Sequence, residues 1–426
     1  MRISSKQIQQ VGIDSILNQQ SRLSETQRQV ASGNRILKPS DDPVGTSELM
    51  NLRKSTESTK QYQENAKAAK NRLTTEEGVL QGVTNLLQRT RELAVKGANG
   101  SQTNETRGYI AAEVRQRIDE LAGLANSKDG AGDYLFSGGK GTTKPFVEKA
   151  GGGYQYQGDQ TARELQIGAG RRIADGDAGS EVFQLIRNGN GSFMTEPDAA
   201  NTGTGVIQST SVVDQYQPVN TAGNNGYTIR FLDDPGGGDE IRYELYETDS
   251  PPAVPGAWPP AADPDRLDSG TYVQGEPIEY TAGGFRVEIS GRPDDGDTFE
   301  VKASENQDIF TTLENLASAL EQPVHTATQH AELENAVNRS IEDIDQGLDN
   351  VMVVRSSLGA RLNAVESQEY VNDDYLLQSQ EIMSSIEDLD YAEAVTRLNM
   401  QMAGLDAAQK AYMKVQGLSM FNYLRP

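Results

Sequence analysis

The side chains that most often carry catalysis or bind metals are scarce in this chain of 426 residues. Cysteine is absent, which excludes disulfide bonds, thiolate metal ligands and a cysteine nucleophile. The two histidines, His325 and His330, are five residues apart, so on a helix they point to different faces and do not form an i, i+4 metal pair. We interpret both as solvated polar residues and predict neither a metal site nor a nucleophilic triad.

Two further segments resemble ligand-binding loops only superficially. In the glycine-rich segment 138–142, Lys140 is followed by Gly141 rather than by the Ser or Thr of a phosphate loop. The acidic run Asp294–Asp297 lacks the spacing and the closing Glu of a calcium loop, and a turn between strands is favoured. Because no convergent acid, base and nucleophile are visible, we predict that the chain is not an enzyme and uses no cofactor.

The charge and hydropathy of the chain exclude other classes of partner. A formal net charge of -23 argues against nucleic acid, because phosphate binding needs a clustered basic face. No stretch approaches the ~18 consecutive apolar residues of a membrane span, and the N-terminus lacks the apolar core of a secretory signal. Composition alone therefore indicates a cytoplasmic protein.

Apolar residues that recur every seven positions indicate the long helices on which the rest of the chain is built. One row comprises Val337, Ile344, Val351, Leu358 and Val365, with Ile341, Leu348, Leu362 and Leu376 beside it. A second row comprises Leu73, Leu80, Leu87 and Ala94, with Ala69, Val83 and Thr90 beside it. Rows of this kind are typical of coiled coils, so we predict that the two halves of the chain pair as long helices. A third helix is predicted after a turn at Gly97–Ser101, with Ile110, Val114, Ile118, Leu121 and Ala125 on one face.

The middle of the chain has a different composition. Eleven of the 16 prolines lie in residues 186–306, and residues 141–308 hold 12 basic against 28 acidic side chains. Alternating segments between glycine-rich turns predict β-hairpins from Tyr134 to about Phe183 and further strands at 227–234, 240–247, 285–290 and 297–303. The predicted fold class is mainly α with β-rich parts: an elongated antiparallel helical bundle or coiled coil formed by both chain ends, with β-hairpins and an inserted β-rich domain.

The extreme ends carry thinner apolar rows. These candidate assembly residues are Ile16, Leu23 and Val30 near the start and Val395, Leu398, Met402, Leu405 and Tyr412 near the end. We place Gln20, Gln27 and Gln409 at seam positions that an apolar residue would normally occupy, so a lone helix pair would bury little surface. We expect these helices to fray in the monomer and to be ordered by neighbours.

A loop motif follows the first predicted helix. Its candidate residues are Gly33, Arg35, Pro39, Asp41, Asp42 and Pro43. Glycine favours a helix end, Pro39 forbids continuation, and Ser40 or either aspartate can cap the next helix. The carboxylates near Arg35 also permit an ion pair between subunits.

At these residues the chain resembles the flagellin superfamily, and within it the hook-associated proteins of the hook-filament junction. The similar segments are Met1–Ser4, Gly33–Gly45, Asp133–Phe146, Leu358–Glu366 and Leu389–Leu424. The resemblance implies a terminal helical domain (1–40 and 386–426), a helical rod with β-hairpins (41–185 and 306–385) and a β-rich outer insert (186–305).

The same resemblance implies a structural component of the flagellum that connects hook to filament, seats filament assembly and is needed for motility. Its implied partners are other copies of itself in a ring, a neighbouring hook-associated protein, filament flagellin and a cytosolic export chaperone on the C-terminal helix, with no nucleic acid and no membrane. It implies an extracellular location after type III export without a cleaved signal peptide. The alternatives are filament flagellin and a surface-binding module that acts through the insert, where Trp258 offers a stacking aromatic.

Overall fold

The structure is a computed structural model that describes residues 5–214, 226–233, 240–249 and 265–423, the side chains of a few residues near both ends excepted. Trp258 and the segment Met1–Ser4 lie outside the described residues. The helices are α1 (Ser5–Ser32), α2 (Pro43–Ala98), α3 (Asn104–Ala125), α4 (Gly179–Phe183), α5 (Ile309–Glu321), α6 (Ala327–Glu387) and α7 (Tyr391–Tyr423).

The strands are short and lie between α3 and α5. They are β1 (Phe146–Glu148), β2 (Tyr154–Tyr156), β3 (Glu164–Gly168), β4 (Arg171–Ala174), β5 (Ile186–Arg187), β6 (Phe193–Pro197), β7 (Val206–Val212), β8 (Tyr227–Asp233), β9 (Ile241–Glu247), β10 (Arg266–Thr271), β11 (Pro277–Tyr280), β12 (Phe285–Ser290), β13 (Thr298–Ala303) and β14 (Asn306–Gln307). The predicted class, helices from both chain ends with β-hairpins and inserted sheets, is confirmed.

The chain divides into two compact units. The first comprises residues 1–66, 166–171 and 367–426, and the second comprises residues 67–165 and 172–366. Helices α2 and α6 each have residues in both units. The domain boundaries drawn from the sequence, at residues 40, 185, 305 and 385, stay a prediction.

In the second unit, α2 and α6 form the predicted antiparallel seam. Both heptad rows of α2, including Leu73 and Leu80, and the α6 row that contains Val337 and Ile344 are buried. The second α6 row is half-buried: Ile341, Leu348, Leu362 and Leu376. Three ion pairs set the register along the seam: Lys70 with Glu366 at 3.2 Å, Arg355 with Glu77 at 2.7 Å and Arg91 with Asp345 at 2.7 Å. Arg355 interrupts the apolar row between Leu348 and Leu362, and its partner on α2 explains how the position is tolerated.

Helix α3 packs in the same unit against α5. Its predicted apolar face is buried, and Thr103 caps its first turn by accepting a hydrogen bond from the backbone N–H of Thr106 at 3.2 Å. At the end of α2, a Cβ on Gly97 would approach Leu320 of α5 to 2.4 Å. A Cβ at position 97 would displace the Leu320 side chain, so glycine favours this close approach of α2 and α5.

The hairpin region is anchored to the helices by aromatic rings. Phe136, Phe146 and Phe183 stack edge to face, with centroids 5.2 and 5.4 Å apart, and Phe146 also contacts Phe310 of α5 at 5.3 Å. All four rings are buried, and such pairs add about 0.5–1.5 kcal/mol each beyond their buried area.

The insert contains a five-stranded antiparallel sheet in the order β10-β9-β8-β13-β6 and a three-stranded sheet in the order β11-β12-β7. Their facing residues, among them Phe231, Leu245, Phe285 and Val301, form one hydrophobic core. The acidic run between β12 and β13 is a turn, as predicted: Gly296 has φ +92°, and the Asp297 carboxylate accepts backbone hydrogen bonds from Thr202, Gly203 and Asp294.

Side-chain amides of α6 hold the edge of the three-stranded sheet. The buried Asn335 accepts a hydrogen bond from the backbone N–H of Ile207 at 2.8 Å and donates one to the carbonyl of Gly205 at 2.9 Å. The half-buried Asn338 donates to the carbonyl of Ile207 at 2.8 Å. These amides pair with β7 much as a further strand would, which satisfies groups that an open sheet edge leaves free.

The two ends of the insert meet at a short ladder. β5 pairs with β14, and the backbone N–H of Asn188 donates to the carbonyl of Glu305 at 3.0 Å. Because this pairing lies at the base of the insert, replacing residues 190–303 with a short Gly/Ser connection should leave the α2–α6 seam folded. We expect the shortened chain to keep a cooperative helical unfolding transition by circular dichroism. Leu80→Asp in the same shortened chain should abolish that transition, and its loss without Leu80→Asp would show that the insert belongs to the core.

The edge contacts of α6 allow a graded test. Asn335→Ala leaves a buried N–H and a buried C=O without partners and should cost about 1–3 kcal/mol of unfolding free energy. Asn338→Ala removes one half-buried bond and should cost about 0.5–1.5 kcal/mol. Hydrogen exchange of β7 should rise more in the first variant. Equal exchange in both variants would contradict the edge-pairing role of Asn335.

Candidate assembly site

The terminal helices α1 and α7 pair in antiparallel fashion in the first unit. A Cβ on Gly12 would lie 2.9 Å from the ring of Tyr412, and a Cβ on Gly404 would lie 2.8 Å from the Gln19 amide. Each glycine therefore receives a large side chain of the partner helix, which lets the helices approach closely. Tyr412 was identified from the sequence, whereas Gly12, Gln19 and Gly404 were not. Gly12 lies seven positions before Gln19 and fourteen before Thr26, and this heptad spacing is a usable signal.

The inner face of α1 is shifted from the predicted one. Ile16, Leu23 and Val30 are half-buried, and Thr26 and Gln29 are buried between them. Gln20 and Gln27 are exposed, so their assignment to the seam is wrong. The second row of the seam is Gln19 and Thr26, one residue earlier, because an a/d pattern alternates steps of three and four.

The predicted residues of α7 separate into two sets. Leu398, Leu405 and Tyr412 are half-buried against α1, and Ala394 is fully buried. Val395 and Met402 are instead 44% and 51% exposed, and Gln409 is exposed as well. The chain's own helix pair thus uses only part of the apolar surface that the sequence pattern identifies.

Large apolar side chains remain exposed on both terminal helices. They are Val11, Ile13 and Leu17 on α1 and Tyr391, Val395, Met400, Met402 and Met413 on α7. Residues 395, 402 and 413 are separated by seven and eleven positions, so they share one helical face. An apolar face of this kind on a helix pair is a candidate contact surface for another chain.

The loop after α1 returns the chain along the end of α6. Gly33 has φ +77° and its N–H donates to the carbonyl of Gln29 at 2.9 Å, which is the expected glycine helix end. Its carbonyl accepts from the N–H of Leu389 at 2.9 Å, and Asn34 pairs with Asp388 in an antiparallel bridge. The residues before α2 and before α7 are therefore held together by backbone hydrogen bonds.

Side chains of the loop complete this junction. The Arg35 guanidinium donates to the carbonyl of Ile386 at 2.7 Å and lies 3.6 Å from the Asp42 carboxylate. Pro39 occupies a turn closed by the N–H of Asp41 and the carbonyl of Lys38 at 2.9 Å.

The start of α2 has the predicted cap. The Asp42 carboxylate accepts a hydrogen bond from the N–H of Gly45 at 2.9 Å, and Pro43 occupies the first helical position. The Asp41 carboxylate accepts from the N–H groups of Leu37 and Lys38 at 3.1 and 2.8 Å. Both aspartates thus accept hydrogen bonds from backbone N–H groups and stabilise the loop and the start of α2.

The described residues hold no group of three His, Cys, Asp or Glu side chains placed to bind a metal ion. Within the same residues, none of the helices combines the length and the apolar character needed to cross a bilayer. The geometry of the terminal helices and their loop is that of a packing surface.

Comparison with known proteins agrees with this geometry. Residues 3–140 match the family described as the bacterial flagellin N-terminal helical region. Flagellar hook-associated protein 3 of Escherichia coli is 24% identical over 99% of both chains.

Solved structures extend the comparison. The flagellar junction protein FlgL of Legionella pneumophila is 31% identical, with a TM-score of 0.68, and the match covers 80% of this chain and 100% of that one. FlgL of Xanthomonas campestris is 31% identical, with a TM-score of 0.67, and the match covers 78% of this chain and 99% of that one. This identity over the whole length of solved relatives places the chain in the flagellar hook-associated protein 3 (FlgL) family, to which it belongs.

Proposed function

We propose that this chain is a structural subunit of the bacterial flagellum that joins the hook to the filament, and that its paired terminal helices form the surface through which copies assemble. Its role is mechanical rather than catalytic. The relatives named as a flagellar junction protein and as a hook-associated protein support the place in the flagellum. The exposed apolar face of the terminal helix pair supports the mode of assembly.

The face formed by Val395, Met402 and Met413 carries the proposal. These side chains are exposed although the helices that bear them are already paired within the chain. Covering them with a helix of a second copy removes apolar surface from water, at about 25 cal/mol per Å². In a ring of identical subunits the same contact forms once per subunit, so a small gain at each contact adds up.

The ring of subunits has a neighbour on each side. A second hook-associated protein lies on one side and filament flagellin on the other, outside the cell. Before export through the type III apparatus, without a cleaved signal peptide, a cytosolic chaperone covers the exposed face of α7. The same apolar face thus serves successive partners, which fits a surface that the monomer leaves open.

A double substitution on the exposed face tests the mode of assembly. Val395→Asp with Met402→Asp should leave the monomer's helix content unchanged, because both side chains already contact water. In an assembled ring each carboxylate would be buried unpaired, at a cost on the order of several kcal/mol. We expect export of the variant, non-motile cells and unpolymerised flagellin in the medium.

A matched control uses the adjacent pair Thr396→Asp with Ala403→Asp. It has the same spacing and the same added charge but occupies a face rotated by one residue, and both side chains are exposed. Cells with the control variant should swim. Normal swimming with the first variant would refute the assembly face, and non-motile cells with both variants would refute its restriction to residues 395 and 402.

The location of this protein on intact flagella distinguishes a junction protein from a filament flagellin. Labelled antibody against the insert should mark a single band at the boundary of hook and filament. Labelling along the whole filament would identify a flagellin instead. The band is expected because flagellar hook-associated protein 3 of Escherichia coli matches this chain over 99% of its length.

A further inference from the structure

A cluster of buried charges lies in the second unit, away from the assembly site. Arg72 and Glu76 occupy successive turns of α2, with 6% and 0% of their surface exposed. The segment that follows β4 lies over them and brings Asp175 and Asp177, and α6 brings Arg361. The cluster therefore joins three parts of the chain that are far apart in sequence.

Arg72 is held by groups from the loop after α3. Its guanidinium donates to the carbonyls of Tyr134 and Leu135 at 3.0 and 3.2 Å and pairs with the Asp129 carboxylate. Within the part of the chain that the structure describes, its Nε has no hydrogen-bond partner, and it lies 3.9 Å from the Asp175 carboxylate. Arg72 thus stabilises the loop backbone and brings one positive charge close to Glu76.

Asp175 and Asp177 each have a cationic partner. Asp175 is buried and accepts from the Arg163 guanidinium, with Nε at 2.8 Å from Oδ2, and Arg163 also lies 3.6 Å from Asp133. The Asp177 carboxylate pairs with Arg361. The charge of each aspartate is therefore paired with an arginine, whereas Glu76 has no ion pair of this kind among the described residues.

Glu76 is only half satisfied. Its Oε1 accepts a hydrogen bond from the backbone N–H of Asp177 at 3.1 Å, while its buried Oε2 has no hydrogen-bond partner among the described residues. A Cβ on Gly176 would lie 3.6 Å from Oε2, so backbone covers this oxygen directly. Burial raises the pKa of Glu76 to about 8, and the charge of Asp177 adds to the rise, while the Asp177 N–H, Arg361 and Arg72 oppose it.

We propose that Glu76 is a proton-dependent latch: its neutral carboxyl holds the segment 175–179 closed over α2, and its ionised form releases that segment. The geometry provides a hydrogen bond that favours the closed segment and a covered oxygen that disfavours ionisation. The closed segment donates an N–H to one oxygen and covers the other with backbone, so ionisation places under the cover a charge that Arg72 and Arg361, both already paired with aspartates, offset only in part. Opening the segment lets water reach the carboxylate.

The direction of the pH dependence follows from the two pKa values. In the open form Glu76 ionises near its ordinary value of 4.5, and in the closed form near 8. Between these values the closed form binds one proton more than the open form, so its stability is full below pH 4.5, falls as pH rises and levels off above pH 8. Asp129, whose pKa is lowered by the hydrogen bonds it accepts from backbone and by Arg72, which together outweigh its burial, stays ionised throughout this window.

Hydrogen exchange of the full-length chain tests the latch. The amide of Asp177 donates to Glu76 and the amide of Gly179 donates to the carbonyl of Phe136, so both report closure. After correction for intrinsic exchange, their protection should fall between pH 6 and 8, by up to about tenfold per pH unit for one linked proton. Glu76→Gln, a neutral side chain of the same size, should make the protection independent of pH.

The neighbouring acid supplies the control. Glu77 pairs with Arg355 on α6, so Glu77→Gln should keep the full pH dependence at Asp177 and Gly179. Constant protection in the wild type, or an unchanged slope in Glu76→Gln, would overturn the proposal. The side-chain carboxyl carbon of Glu76 in the wild type, assigned by ¹³C NMR, should titrate near pH 8 whether or not the variant folds, and a midpoint below pH 6 would also overturn it.

Discussion

The pairing of α2 with α6 is the contact on which the other parts of the second unit depend. Residues such as Leu80 and Val351 are buried, and burial of each large aliphatic side chain contributes about 1.5–3 kcal/mol. Other faces of the same helices then carry polar anchors. Asn335 on α6 pairs with the insert, and Arg72 on α2 pairs with the loop after α3. A seam that slipped by one residue would turn these anchors away from their partners.

The terminal pair is built on a different principle. Gly12 and Gly404 admit Tyr412 and Gln19, so α1 and α7 meet closely at small residues, while the apolar rows of both helices stay only half-buried. Close approach of backbones gains dispersion contacts but buries less apolar surface. Other apolar side chains that could bury more surface between the helices, such as Val395 and Met402, are exposed. A helix pair with this division of surface is suited to sharing its stability with a neighbour.

Most of the framework could be predicted because it depends on periodicity. The rows on α2 and α6 repeat often enough to identify buried faces, and the alternation around Phe285 and Val301 identified strands. Periodicity does not identify which helix covers a given apolar face. Val395 and Leu398 look alike in an a/d pattern, and only the position of α1 separates the exposed residue from the half-buried one. Helix α5 was missed as a separate element because thirteen residues give too few repeats. Glu76 was missed because its burial arises from a distant segment that folds over it.

The bridge between Asn34 and Asp388 has a consequence for the order of events in folding. The Asn34 side chain and its partner Glu387 are separated by 353 residues, and the entropy lost on joining two points grows with the logarithm of the intervening chain. Once Lys70 and Glu366 are neighbours in the folded α2–α6 seam, only short flexible arms remain between them and the bridge. That prior contact lowers the entropic cost of closure by roughly 1–2 kcal/mol. We therefore expect the α2–α6 seam to form first and the terminal helices α1 and α7 to pair last.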